Sequence, residues 1–211
     1  MDKTIRFVFC VPVGVGHESF VTPYNDEMAK QDYINKIVYS PYDTDRLGQN
    51  HWMNDLLDKT VPDKNTYISF HGIDDKILPA KLSNINKWIK YYNNPAWIYF
   101  GHRNSDGEVL YPQDYSYDNL LKKNYIAGGA VFVRSDLYKT RRFRELAFWK
   151  GGADWDMWLR LGKEYDPIVI NEIVYEENLQ SSLVRTQTGL WKLIFNRIKY
   201  PIWRLLKSEI T

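Results

Sequence analysis

Three short apolar runs, each ending in a polar or glycine-bearing loop, constrain this chain more than any other feature. The first, residues 5–11, is broken only by Arg6 and stops at Pro12-Val13-Gly14-Val15-Gly16. The second, residues 34–39, ends in Ser40-Pro41-Tyr42-Asp43-Thr44-Asp45. The third contains Tyr67, Ile68 and Phe70, residue types suited to a buried strand, and stops at Gly72. Helical patterns over residues 19–31 and 52–57 separate the runs. Strands alternating with helices predict βαβ units, and hence an α/β domain around a largely parallel sheet. Such sheets bind ligands beyond the carboxyl ends of their strands. The loops at Gly14, Asp43 and Asp74 are therefore expected to meet in one crevice.

Just past the third run stand two adjacent carboxylates, Asp74 and Asp75, followed by Ile77, Leu78 and Pro79. Pro79 is placed to open a helix. Like charges this close oppose each other's ionisation. A divalent cation that favours hard oxygen ligands, Mg²⁺ or Mn²⁺, would relieve the repulsion. A solvated turn in which one carboxylate caps the next helix accounts for the pair equally well. The glycines after the first run lack the G-x-G-x-x-G spacing of a dinucleotide site.

Further along, Leu82, Ile85, Trp88 and Ile89 recur at helical spacing through about Tyr92. Residues 97–100 read as a strand, and Asn104-Ser105-Asp106-Gly107 as a hairpin turn into residues 109–111. Gly128 and Gly129 precede an apolar stretch, which implies a bulge or a close approach of backbone to a ligand. Arg141, Arg142 and Arg144 form a basic cluster ahead of Gly151-Gly152, which reads as a hinge. Asp154-Trp155-Asp156-Met157-Trp158-Leu159-Arg160-Leu161 then opens a helix, with Asp154 in the first turn, where the helix dipole favours a carboxylate. Residues 190–206 mix tryptophan and leucine with lysine and arginine, a basic amphipathic segment that either packs on a domain or rests on a membrane surface.

The chain has 211 residues, enough for one substantial domain, and a net charge of only +2. No stripe of basic residues interleaves with aromatics, so no nucleic-acid partner is expected. No uncharged stretch is long enough for a transmembrane segment. Asp2 and Pro12 argue against a signal peptide in the first run. The single cysteine, Cys10, fits a reducing, cytoplasmic setting.

On these residues the chain resembles the family-2-type inverting glycosyltransferases of the GT-A fold, over roughly residues 5–183. Val11-Pro12-Val13 is similar to the Pro-Val that ends their first strand, and residues 40–45 to their second-strand loop. Gly48 and Asn54 keep the separation of a G-x-x-x-A-R-N segment, and residues 70–79 are similar to an Asp-x-Asp-Asp segment with trailing Leu-Pro. The run from Asp154 to Leu161 resembles Glu-Asp-Trp-Asp-Leu-Trp-Leu-Arg-Leu, the most specific of the five.

The resemblance implies a Rossmann-like GT-A fold, mixed and mostly parallel, as a single domain over residues 1–189. Residues 1–80 would be its nucleotide-binding half and 81–189 its acceptor half, with 190–211 appended. It implies transfer of a sugar from a nucleotide-diphosphate sugar, preferably a UDP-sugar, to a hydroxyl of a glycan or glycoprotein acceptor. Pro12, Val13, Gly14, Asp43, Asp45 and Asp74 would bind the nucleotide, and Asp74 and Asp75 would hold Mn²⁺ or Mg²⁺. Asp154 would be the general base, and Gly128, Gly129, Trp155 and Trp158 would line the sugar or acceptor. Arg141 or Arg142 would contact the diphosphate, unless they lie on a solvated face. Departures from the pattern are Gly72 for the first Asp, Met53 for an arginine, Ala153 for a glutamate and Asn178 for a histidine.

Rival readings are a sugar nucleotidyltransferase, a glycoside hydrolase and a non-catalytic carbohydrate-binding module. The first usually has a basic, glycine-rich phosphate loop, and Gly14-Val15-Gly16-His17 has no lysine or arginine. For the second, the carboxylates of Asp74 and Asp75 are too close for separate acid and nucleophile roles.

Overall fold

The computed structural model describes residues 4–14, 16–33, 35–40, 49–104, 106–145 and 152–177. Asp43, Asp45, Gly48, Gly151, Asn178 and the segment 190–211 lie outside them. The first compact unit spans Met1–Glu177. In chain order it contains β1 (Arg6–Val11), a 3₁₀ turn (Glu18–Phe20) running into α1 (Val21–Ala29), β2 (Asn35–Tyr39) and α2 (Gln49–Asp58). Next come β3 (Thr66–Phe70), β4 (Lys76–Ile77), α3 (Leu82–Tyr91), β5 (Trp97–Arg103), β6 (Val109–Leu110) and α4 (Tyr117–Leu120). A 3₁₀ turn at Gly128–Ala130 leads into β7 (Val131–Arg134), and α5 (Ala153–Gly162) and β8 (Ile168–Glu176) follow.

One sheet runs β2-β1-β3-β7-β5-β8-β4, with β6 paired to β5. The α/β class and the mixed sheet are as expected. The parallel share is smaller than the sequence suggests: β2, β1 and β3 are mutually parallel, as are β5 and β8. The other pairings are antiparallel. Strand–helix alternation dictates parallel neighbours only where a long crossover joins them, whereas β5 and β6 are joined by a short hairpin turn. In that turn Asn104 Oδ1 accepts from the amides of Asp106 and Glu108, and Gly107 takes the left-handed φ of 82°.

Alternation along β1 buries both faces. Phe7, Phe9 and Val11 join the main core with Phe100 and Phe132, while Val8 and Cys10 are buried on the opposite side. Phe132 meets Phe7, Phe9 and Phe100 edge to face at centroid distances of 5.7, 6.1 and 6.0 Å. Leu82, Ile85 and Ile89 supply the buried stripe of α3, and Tyr24 and Met28 that of α1. Each such side chain contributes about 1.5–3 kcal/mol by leaving water.

One local expectation changes. Pro79 does not open α3, which starts at Leu82. Ile77 is held opposite Tyr175 of β8, the Leu78 amide donates to Val174, and Ala80 adopts φ 56°, through which a right-handed helix cannot run. Gly152 is the N-cap of α5 in the left-handed conformation, φ 77°, with its carbonyl accepting from the Asp156 amide. Among the described residues no helix is long and apolar enough to cross a membrane.

Within α5, buried Asp156 accepts from Arg160 at 3.0 Å and lies 3.7 Å from Arg144. Asp156→Asn leaves Arg160, itself largely out of water, without its counter-charge. A loss of about 3 kcal/mol is expected, read as a lowered urea midpoint at constant m.

Candidate active site

The carboxyl ends of β1, β2 and β3 are stitched together. The Val13 amide donates to Ser40 Oγ at 2.9 Å, the Ser40 amide to the Val11 carbonyl, and the His71 amide to the Cys10 carbonyl. Val13 is buried, so its side chain belongs to the core and its N–H is already committed. Pro12 and Gly14 are half-buried on either side of it.

Past β3 the chain folds back at Gly72. The Gly72 amide donates to Asp75 Oδ2 at 2.9 Å, and the Asp75 amide to the Gly72 carbonyl at 3.2 Å. A Cβ on Gly72 would fall 2.7 Å from Asp75 Oδ2 and 2.9 Å from Asp74 Oδ1. A side chain at position 72 would therefore have to displace the ends of both aspartates. Buried Ile73 anchors the turn beneath them.

His71 is wholly buried and ties this turn to two other elements. Its Nδ1 lies 3.0 Å from the Tyr24 hydroxyl and its Nε2 3.1 Å from the Gly129 carbonyl. A carbonyl can only accept, so Nε2 carries the proton and Nδ1 accepts from Tyr24. Burial pushes the imidazole pKa down to about 3, against a smaller opposing effect of the Gly129 bond. It is a neutral strand-end residue.

The Gly128–Ala130 turn is the second wall. The close approach that its glycines imply is made by side chains of this same chain. A Cβ on Gly129 would fall 2.2 Å from the Tyr175 ring, and one on Gly128 would lie 3.8 Å from Asp154. Tyr175, near the end of β8, donates its hydroxyl to Asp75 Oδ2 at 2.5 Å. Burial, then the Asp75 charge, raises its pKa, which keeps it a donor at neutral pH.

Asp154 lies in the first turn of α5, partly accessible but densely surrounded. Asn124 Nδ2 donates to its Oδ2 at 3.0 Å. Desolvation raises its pKa and outweighs the hydrogen bonds from the Trp155 amide and Asn124. Burial therefore prevails over the stabilisation expected at a helix start. Glu177, a carboxylate that the sequence did not single out, has its pKa raised by desolvation and then by Asp75, Asp74 and Asp154. Tyr175 touches both Asp75 and Gly129, and Asp154 lies against the neighbouring Gly128, so the acidic pair and Asp154 flank the same Gly128–Ala130 turn.

Other candidates fall elsewhere. Trp158 is buried and stacks on Trp97, centroids 5.7 Å apart and planes at 14°, so it is a core residue and not a sugar contact. The helix period sets its face, and the sequence does not show how deep the crevice reaches. Trp155 is half-buried beside Asp154 with its indole N–H on the Leu120 carbonyl. Arg141 pairs with Glu164, past the far end of α5, and lies over Tyr165; Arg142 pairs with Asp58 at 2.6 Å. Asn54 bonds both backbone polar groups of Phe143, holding that segment to α2.

Among the described residues no group of three or more His, Cys, Asp or Glu side chains is arranged to hold a metal ion. Asp74 and Asp75 nevertheless offer hard oxygen donors, and Mg²⁺-type cations are commonly held by one or two carboxylates plus substrate phosphates. The donor set fits a cation shared with a diphosphate and not a cage built by protein alone.

No family model matches the sequence, and neither does any curated protein. Solved structures do. S. aureus TarS (residues 1–349) in complex with UDP-GlcNAc is similar with a TM-score of 0.64 at 14% identity, covering 88% of this chain and 62% of that one. Its complex with UDP gives 0.63 at 15%, covering 82% and 60%. The mannosyltransferase PcManGT from Pyrobaculum calidifontis, in complex with GDP-Man and Mn²⁺, gives 0.56 at 15%, covering 88% and 60%. The chain thus spans about three fifths of the length of these solved chains, and 36% of a longer TarS chain. At such identities the likeness is one of fold: the mixed α/β sheet is GT-A-like.

His71 makes stability pH-dependent. Its folded pKa lies below the unfolded one, so the unfolded chain binds the extra proton, and stability present above about pH 6.5 is lost as pH falls toward 3. Between pH 7 and pH 5 a loss of about 2 kcal/mol is expected, checked by urea unfolding against His71→Gln, whose profile should be flatter over that interval.

Proposed function

We propose that this chain is a glycosyltransferase that moves a sugar from a nucleotide-diphosphate sugar, with UDP-sugars preferred, to a hydroxyl of a glycan or glycoprotein acceptor. The observation that carries the reading is the meeting of the acidic pair Asp74–Asp75 and the desolvated Asp154 at one crevice, beyond the carboxyl ends of a parallel strand triad. The complexes of TarS with UDP and UDP-GlcNAc, and of PcManGT with GDP-Man, support the donor class.

In this reading Asp154 accepts the proton of the acceptor hydroxyl as that oxygen attacks the anomeric carbon. The new glycosidic bond forms on the face opposite the breaking bond to the diphosphate, so the configuration inverts and the nucleoside diphosphate leaves. Asp74 and Asp75 would hold Mn²⁺ or Mg²⁺, which supplies charge neutralisation for the departing diphosphate. Residues 12–14 would approach the nucleotide with backbone groups, joined by Asp43 and Asp45 in the second-strand loop. Gly128, Gly129 and Trp155 would border the transferred sugar and its acceptor. Desolvation makes Asp154 a stronger base than an exposed carboxylate.

Asp154→Asn is expected to keep UDP affinity and lose roughly 10²–10⁴-fold in transfer, measured by single-turnover kinetics; near-normal turnover would remove Asp154 from this role. In the wild type, transfer should fall on acidification at a pH above the ordinary carboxylate range, because only the deprotonated base is active. Calorimetry should show tighter UDP binding with Mn²⁺ than without it, and equal affinities would count against the metal.

A further inference from the structure

Tyr175 stands where the two walls of the crevice meet. Its hydroxyl and the Gly72 amide both donate to Asp75 Oδ2, so two bonds from different elements set that carboxylate. Its ring lies so close over Gly129 that no larger residue fits there without displacing it. The ring also leans on His71, centroids 5.3 Å apart, and His71 in turn donates to the Gly129 carbonyl. Gly128, the next residue of that turn, lies against Asp154. Nor can Tyr175 drift: β8 places it opposite Ile77 of β4 and His102 of β5.

We propose that Tyr175 is a positioning residue for the transfer reaction: its hydroxyl orients Asp75 while its ring seats the Gly128–Ala130 turn that borders Asp154. The consequence for catalysis rests on the glycosyltransferase reading; the contacts themselves do not. Tyr175 joins the metal-side and base-side walls through one buried side chain, so its two functions separate by mutation. Removing the hydroxyl loosens Asp75 and spares the ring, whereas a methyl group on Gly129 displaces the ring and shifts the turn.

The test uses the full chain with Tyr175→Phe and Gly129→Ala. Tyr175→Phe keeps the buried ring and should remain folded. Its Gly72 amide should exchange with deuterium about tenfold faster, and the Mn²⁺ needed for half-maximal UDP binding should rise about tenfold, the worth of one hydrogen bond to a charged group. Gly129→Ala should instead lose kcat by about tenfold or more with UDP affinity retained, since misplacing a catalytic group costs chemistry before binding. If Tyr175→Phe leaves either the Gly72 exchange or the Mn²⁺ requirement unchanged, the proposal falls; full activity in Gly129→Ala overturns the role of the ring. A wild-type protein that binds no UDP and transfers no sugar overturns the reaction itself, while the Gly72 exchange rate still decides whether Tyr175 orients Asp75.

Discussion

Like charges held together at the edge of a buried sheet are the constraint on which this molecule turns. Added to burial, the charges of Asp75, Asp74 and Asp154 raise the cost of ionising Glu177, and those of Asp75, Glu177 and Asp74 raise that of ionising Tyr175. The fold meets these charges with donors placed on rigid elements: the Gly72 amide and Tyr175 hydroxyl for Asp75, and Asn124 and the first-turn amide of Trp155 for Asp154. Where burial outweighs those donors, as at Asp154, the carboxylate keeps an appetite for protons. In the proposed reaction an anionic diphosphate beside two adjacent aspartates would need a cation between them.

Absent side chains shape the site as much as present ones. At Gly72 the space is filled by the two aspartates, and at Gly129 by the Tyr175 ring. The buried, neutral His71 then cross-links the two turns to α1 through Tyr24. A charged group could not occupy that position without a counter-ion, so the same desolvation that lowers its pKa makes it a dependable structural strut.

The helix α5 shows how one motif divides its duties. Asp154 and Asp156 stand two residues apart and so project in different directions. One borders the crevice; the other is buried in an ion pair with Arg160 one turn on. Trp155 and Trp158 divide similarly, one beside Asp154 and the other stacked in the core on Trp97.

The sequence by itself determined the first three strands, the hairpin turn, the stripe of α3 and the start of α5, because these follow from local periodicity, turn chemistry and capping. It also marked Asp74, Asp75 and Asp154 as chemically unusual. It did not reveal β8, whose apolar run is interrupted by Asn171 and Glu172 where the pairing with β5 shifts register. With β8 hidden, Tyr175 and Glu177 carried no signal, since Asp75 is 100 residues from Tyr175 and Asp154 stands on a separate element from Glu177, and only the folded sheet brings them together. Periodicity is a property of neighbours along the chain, whereas the meeting of acidic pair and base is a property of strand order, and that is decided only when the whole core closes.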